Sequence, residues 1–113
     1  MSGARRVLVV EDDALAAQTV MRVLAKAGLD GRSARTAADA RAQAASWKPD
    51  VILIDRHLPD GDGVSLARAL KSGGKPRLVM MSGDPLEGSE GGAFDAWLLK
   101  PVSMQELLAS LGG

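Results

Sequence analysis

Two uninterrupted apolar runs, Val7-Leu8-Val9-Val10 and Val51-Ile52-Leu53-Ile54, each end abruptly in acidic residues. A strand with one face in water alternates apolar and polar side chains. A run without alternation, bounded by turn signals, predicts a strand buried on both faces. Strands of that kind sit in parallel sheets with helices on either side. The acids that follow, Glu11-Asp12-Asp13 after the first run and Asp55 after the second, fall at strand carboxyl ends, where open α/β sheets bind ligands. Two such strands side by side gather several carboxylates, and like charges that close need a cation or protons to persist. The pattern points to a metal-dependent acidic pocket.

The rest of the chain repeats the strand-then-helix alternation. Ala14 to Ala27 carries Ala16, Val20, Val23, Leu24 and Ala27 on one helical face and stops at Gly28. Leu29 to Ala34 predicts a poor strand, broken by Gly31 and Arg32, which belongs at a sheet edge. Thr36-Ala37-Ala38-Asp39 resembles a capping box and opens a helix with Ala37, Ala40, Ala44 and Trp47 inward. Gly63 to Lys71 predicts a helix that buries Val64, Ala67 and Leu70. Leu78 to Met81 and Trp97 to Leu99 predict two further strands, ending at Ser82 and at Lys100-Pro101. Ser103-Met104-Gln105-Glu106 opens a last helix with a Met104, Leu107, Leu108 and Leu111 stripe. Between the last two strands, Pro85 to Asp95 holds Gly88, Gly91 and Gly92, so the fourth crossover helix is expected to be weak or missing.

Composition excludes several classes. The 113 residues suit one domain, 1–113, and not two. Net charge is zero, with no basic stripe for nucleic acid. The chain has no cysteine and one histidine, which removes disulfides, thiolate chemistry and a zinc site. The apolar run after Met1–Arg6 is too short for a signal-peptide core, and no stretch approaches the ~20 residues of a membrane helix. A cytoplasmic protein that contacts neither membrane nor nucleic acid is expected.

The strand-end residues together resemble the receiver domain of bacterial two-component response regulators, from Arg6 to Leu111. Val7 to Asp12 resembles the family's first strand and acidic pair, and Ile54 to Gly63 its phosphoacceptor loop. Ser82 stands at the Ser/Thr position and Lys100-Pro101 at the Lys-Pro position, which the family usually joins by a cis peptide. Trp97 occupies the aromatic switch position, where Tyr or Phe is commoner. The resemblance implies a flavodoxin-like, doubly wound, five-stranded parallel sheet in the order 2-1-3-4-5. It implies that Asp55 takes a phosphoryl group from a phosphohistidine on a histidine kinase or histidine phosphotransferase. Mg²⁺ would be held by Asp12, Asp55 and the backbone carbonyl of His57, with Glu11 acting through water. Ser82 would bond a phosphoryl oxygen, and Lys100 would pair with Asp55 at rest and with the phosphoryl group afterward. A downstream protein would then read the face formed by segments 82–95, 96–99 and 102–111. Such a domain assists its own phosphorylation and dephosphorylation and is not an enzyme in the ordinary sense. Met1 and the short Gly112-Gly113 end fit a stand-alone regulator, and a receiver cut from a hybrid kinase is the other expectation.

The single motifs have other readings. Asp13 fits a helix cap. Asp60 and Asp62 fit turn formers or a helix cap, because a dehalogenase-type nucleophile motif would directly follow its strand and an EF-hand loop would need glutamate at its twelfth position, where Lys71 stands. The His57 side chain can face solvent, Trp47 fits helix-end packing, and Trp97 is either core or switch. A flavodoxin-like cofactor-binding enzyme is the alternative of a different class. It would need a glycine-rich phosphate loop after the first strand, where Glu11-Asp12-Asp13 stands instead.

Overall fold

Along β1 (Arg6–Val10) and β3 (Val51–Asp55) successive side chains enter opposite halves of the core. Leu8, Val10, Ile52 and Ile54 join one cluster, and Val7, Val9, Val51 and Leu53 join the other. Both clusters are fully shielded at these positions, which is why the runs carry no polar alternation. The structure, a computed structural model, describes residues 5–72, 76–83 and 94–112.

The remaining elements are α1 (Ala14–Lys26), β2 (Asp30–Ala34), α2 (Ala37–Trp47), the two-residue strands β4 (His57–Leu58) and β5 (Gly61–Asp62), α3 (Gly63–Ser72), β6 (Arg77–Ser82), β7 (Ala96–Leu99) and α4 (Met104–Ser110). Among the described residues one sheet has the order β2-β1-β3-β6-β7 with every pairing parallel, and β4 and β5 form a small antiparallel hairpin. Counting the sheet strands alone, this is the expected 2-1-3-4-5 flavodoxin-like topology. The first cluster is closed by α2 and α3 through Ala37, Ala40, Trp47, Leu66, Ala67 and Leu70. The second is closed by α1 and α4 through Val23, Leu24, Leu107 and Leu111. The expected weak or missing fourth helix falls on 84–93, outside the described residues.

The helix ends follow local chemistry. Asp13 caps α1 by accepting from Leu15 N, and Gly28 closes it at a left-handed φ of 79°. Ser103 and Glu106 form a reciprocal capping box on α4. In α2 only half of the expected box exists. Thr36 accepts from Asp39 N, while the Asp39 carboxylate takes the Gln43 side chain. β2 is an edge strand, as its sequence predicts, and Gly31 has a packing reason. A Cβ there would meet Met21 Sδ at 3.1 Å and Leu24 Cδ1 at 3.2 Å.

Two expected core positions are corrected. Met104 is 56% exposed, because it opens α4 on the solvent side of the capping turn, and Ser110 is buried on that helix instead. Ala27 is exposed as the residue that ends α1, whereas Ala17 is buried.

Candidate functional site

The parallel sheet brings four strand ends to one edge. Glu11 continues the β1 ladder by donating its N–H to Ala34 O at 2.9 Å, which draws its side chain into the protein, where it is 5% exposed. Asp12 is exposed beside it, and Asp13 is spent on the α1 cap. Asp55 ends β3 in register with Met81 of β6 and is buried. Ser82, the last residue of β6, is buried too. Beyond β7, Lys100 N donates to Ser82 O at 2.8 Å, which holds the lysine backbone against the end of β6. The Lys100-Pro101 peptide is cis.

The side chains converge. Lys100 Nζ donates to Asp55 Oδ1 at 2.8 Å and lies 3.9 Å from Glu11 Oε1. Glu11, Asp12 and Asp55 each offer an oxygen within 4.8 Å of the others. Burial pushes the Glu11 carboxyl up to about 7, with the neighbouring Asp55 charge adding to the rise and the Asp13 N–H and Lys100 opposing it. Burial alone would lower the Lys100 ammonium, but the hydrogen bond and charge of Asp55, with Glu11 and Asp12 behind it, outweigh that and leave it raised. Three acids against one ammonium leave surplus negative charge in a partly desolvated space. An all-oxygen donor set of this kind fits a hard divalent cation such as Mg²⁺.

The loop after Asp55 is held on both sides. Arg56 N donates to Met81 O at 3.1 Å, and Gly63 N donates to Arg56 O at 2.8 Å. The returning chain passes so close that a Cβ on Gly63 would stand 2.6 Å from Asp55 O and 3.1 Å from Arg56 Cα. The His57 side chain is exposed, as expected. Asp60 reaches across to α2, where its carboxylate accepts from Ala37 N at 2.7 Å and Ala38 N at 3.1 Å. Those hydrogen bonds hold the Asp60 carboxyl below its usual range. Asp62 Oδ1 accepts from Val64 N at 3.1 Å and caps α3. Asp60 lies in a turn and Asp62 is a helix cap, as expected, and Asp60 also caps a distant helix.

Trp97 is half-buried. Phe94 meets it edge-on at 5.8 Å between centroids and 87° between planes, and the Arg56 guanidinium lies over its ring at 5.7 Å. Trp47 packs at the end of α2, as expected, between the guanidinium of Arg32 at 4.7 Å and that of Arg6 at 5.9 Å. Linear reading missed the Gly63 approach, the Asp60 cap and the Arg56 stack. The first had a visible signal, a glycine that opens a helix. The other two join residues 23 and 41 positions apart and had none.

With the acid cluster, the buried serine and the paired lysine at one sheet edge, comparison with known proteins is decisive. The family model described as the response regulator receiver domain matches residues 7–112. The chain belongs to the response regulator receiver family. It is 34% identical to the response regulator MprA of Mycobacterium avium over 112 residues, covering 94% of this chain and 49% of that one. It therefore spans about half the length of the curated relatives it matches. A CheY-like receiver domain from Methylobacillus flagellatus superposes with a TM-score of 0.89 at 27% identity, covering 97% of this chain and 100% of that one. A Burkholderia pseudomallei response regulator, solved with a phosphorylated aspartic acid, calcium ion and citrate, gives 0.85 at 26% identity over 96% of this chain and 66% of that one. As a receiver domain, the chain works in phosphorylation-based two-component signalling and implies a phosphodonor partner such as a histidine kinase. Among the described residues no helix is long and apolar enough to cross a membrane.

Proposed function

We propose that Asp55 is the phosphoacceptor of this receiver. The observation that carries the reading is the Lys100 ammonium seated 2.8 Å from a buried aspartate at the end of the central strand. The Burkholderia regulator was solved with a phosphorylated aspartic acid and a calcium ion. In the proposed step an Asp55 carboxylate oxygen attacks the phosphorus of a phosphohistidine on a histidine kinase or histidine phosphotransferase. The P–O bond forms as the P–N bond breaks, and the leaving imidazole takes up a proton. Phosphoryl transfer needs in-line positioning and charge neutralisation more than covalent help. Burial fixes the Asp55 rotamer for the first, and Lys100 contributes to the second.

Asp12, Asp55 and the His57 carbonyl would hold Mg²⁺, with Glu11 acting through water, and the ion would offset both the carboxylate repulsion and the phosphoryl charge. The Ser82 hydroxyl donates to a phosphoryl oxygen, and Lys100 transfers its pairing from the carboxylate to the phosphoryl group. Ser82 and Trp97 form the switch, and the face that carries Ser82, β7 and α4 changes its contacts with a downstream protein in the cytoplasm. The domain is a phosphoacceptor that promotes its own phosphorylation and dephosphorylation rather than an enzyme with an external substrate. Exposure to acetyl phosphate and Mg²⁺, followed by peptide mapping, is expected to place the phosphoryl group on Asp55. A map placing it on another residue overturns the reading.

A further inference from the structure

A cleft of about 740 Å³ lies between α2 and α3. Asp50 and Pro76, which line it, directly precede β3 and β6, so it opens at the amino-terminal edge of the sheet, opposite the acid cluster. The cleft exists because the two helices offer only small side chains there. Ala44 and Ala45 of α2 and Ala69 of α3 form its walls. Trp47, the one large apolar side chain of α2, is taken up against Arg6 and Arg32. Buried Ile52 and Leu70 close the base.

The lip is cationic. Arg41 and Lys48 both line the cleft and are exposed, and among the described residues neither comes within ion-pair distance of an acid. Arg41 reaches Asp60 only as the weakest of the influences on that carboxyl. Lys48 leaves α2 in the left-handed region, at φ 53° and ψ 65°, because the proline after it disfavours a further helical residue. Arg68 and Lys71, exposed on α3 beside Ala69 and Leu70, add to the positive field. The one acid in the lining, Asp50, already accepts from Arg6 N at 2.8 Å. The carboxyl ends of α2 and α3 contribute about −0.5 charge each. Four full cations outweigh one carboxylate and two partial charges.

We propose that this cleft binds a small amphipathic anion, with its apolar body along Ala44, Ala69 and Leu70 and its carboxylate head at Arg41 and Lys48. The volume falls within the roughly 300–1,000 Å³ of small-molecule sites. Ten residues line the cleft, against about 20–30 a side for a stable protein interface, which favours a small ligand over a protein partner. Binding here involves neither Asp55 nor Mg²⁺, so the proposal is independent of the phosphoacceptor assignment.

The test uses octanoate, 1-octanol and octylammonium, which share an apolar body and differ in the charge of the head. Each is titrated into the ¹⁵N-labelled protein while backbone amide shifts are followed. Octanoate is expected to give saturable shifts centred on Ala44, Ala45, Lys48, Ala69 and Leu70. Octylammonium is expected to bind at least about tenfold more weakly. The double variant Arg41→Gln with Lys48→Gln is expected to weaken octanoate about tenfold, as the loss of two exposed charge contacts implies, and to leave 1-octanol unchanged. Ala45→Leu, at an exposed position, fills the cleft and is expected to weaken both octanoate and 1-octanol. Octanoate shifts that never saturate, octylammonium that binds as tightly as octanoate, or a double variant that binds octanoate like the wild type would each overturn the proposal. An acidic, leucine-containing helical peptide that shifts these amides where octanoate does not would make the cleft a peptide groove and overturn it as well.

Discussion

The Lys100 ammonium sits between two buried carboxylates, 2.8 Å from Asp55 and 3.9 Å from Glu11, and the backbone N–H of the same residue donates to Ser82 O. One residue thus contacts the proposed phosphoacceptor, the acid beside it and the end of β6. Lys100→Ala removes the counter-charge and leaves the pocket acids facing each other. The variant is expected to accept a phosphoryl group more slowly yet fail to carry the change into α4. Backbone chemical shifts of Ser103–Leu111 on activation check this, and shifts of wild-type size would refute the coupling role.

Glu11 gives the protein a pH-dependent stability of definite sign. Its folded pKa, about 7, lies above the ordinary 4.5, so the folded state holds the proton more tightly than the unfolded chain. The associated stabilisation is full below about pH 4.5 and is lost as pH rises through about 7. Metal-free protein should therefore lose Tm across that window, and Glu11→Gln should flatten the slope. Mg²⁺ favours the ionised acids and should raise Tm more at pH 8 than at pH 5. A Glu11→Gln variant with an unchanged slope would remove Glu11 as the cause.

Asp60 ties the loop after Asp55 to the first turn of α2 through Ala37 N and Ala38 N. Its carboxyl is held below the ordinary range, so its stabilisation is present above the ordinary aspartate pKa and lost as pH falls through the lowered folded value. Asp60→Ala leaves two helix N–H groups without their acceptor. The expected result is a lower Tm at neutral pH and faster amide exchange at Ala37 and Ala38, with the difference narrowing in acid. Unchanged exchange at those amides would show that the cap contributes nothing.

Gly63 is required by space rather than by its φ. A methyl group there meets Asp55 O at 2.6 Å, a backbone atom that cannot swing away. Gly63→Ala should cost about 1–3 kcal/mol, as overpacking does, and should slow phosphorylation by displacing the Asp55 peptide. Chemical denaturation and the acetyl phosphate reaction rate measure both. A variant of wild-type stability and rate would mean the loop yields easily.

The sheet and its acid edge were legible because each rests on local pattern. The unbroken runs at Val7–Val10 and Val51–Ile54 announce two-sided burial, and acids at their ends can meet only at one edge of a parallel sheet. Ser82 and Lys100 became informative only in that order and spacing, through the family resemblance. Met104 misled because periodicity alone does not show where a capping turn lifts a helix start out of the core. Asp60 and Arg56 act on partners brought close by the fold, α2 and Trp97, so nothing beside them in the chain marks the role.

The proposed switch depends on Asp55 accepting the phosphoryl group. Intact-mass measurement after acetyl phosphate and Mg²⁺, on the wild type and on Asp55→Asn, tests it most directly. One added phosphoryl group is expected on the wild type, removed by mild base as an acyl phosphate should be, and none on Asp55→Asn. An Asp55→Asn protein that still gains the same mass would contradict it.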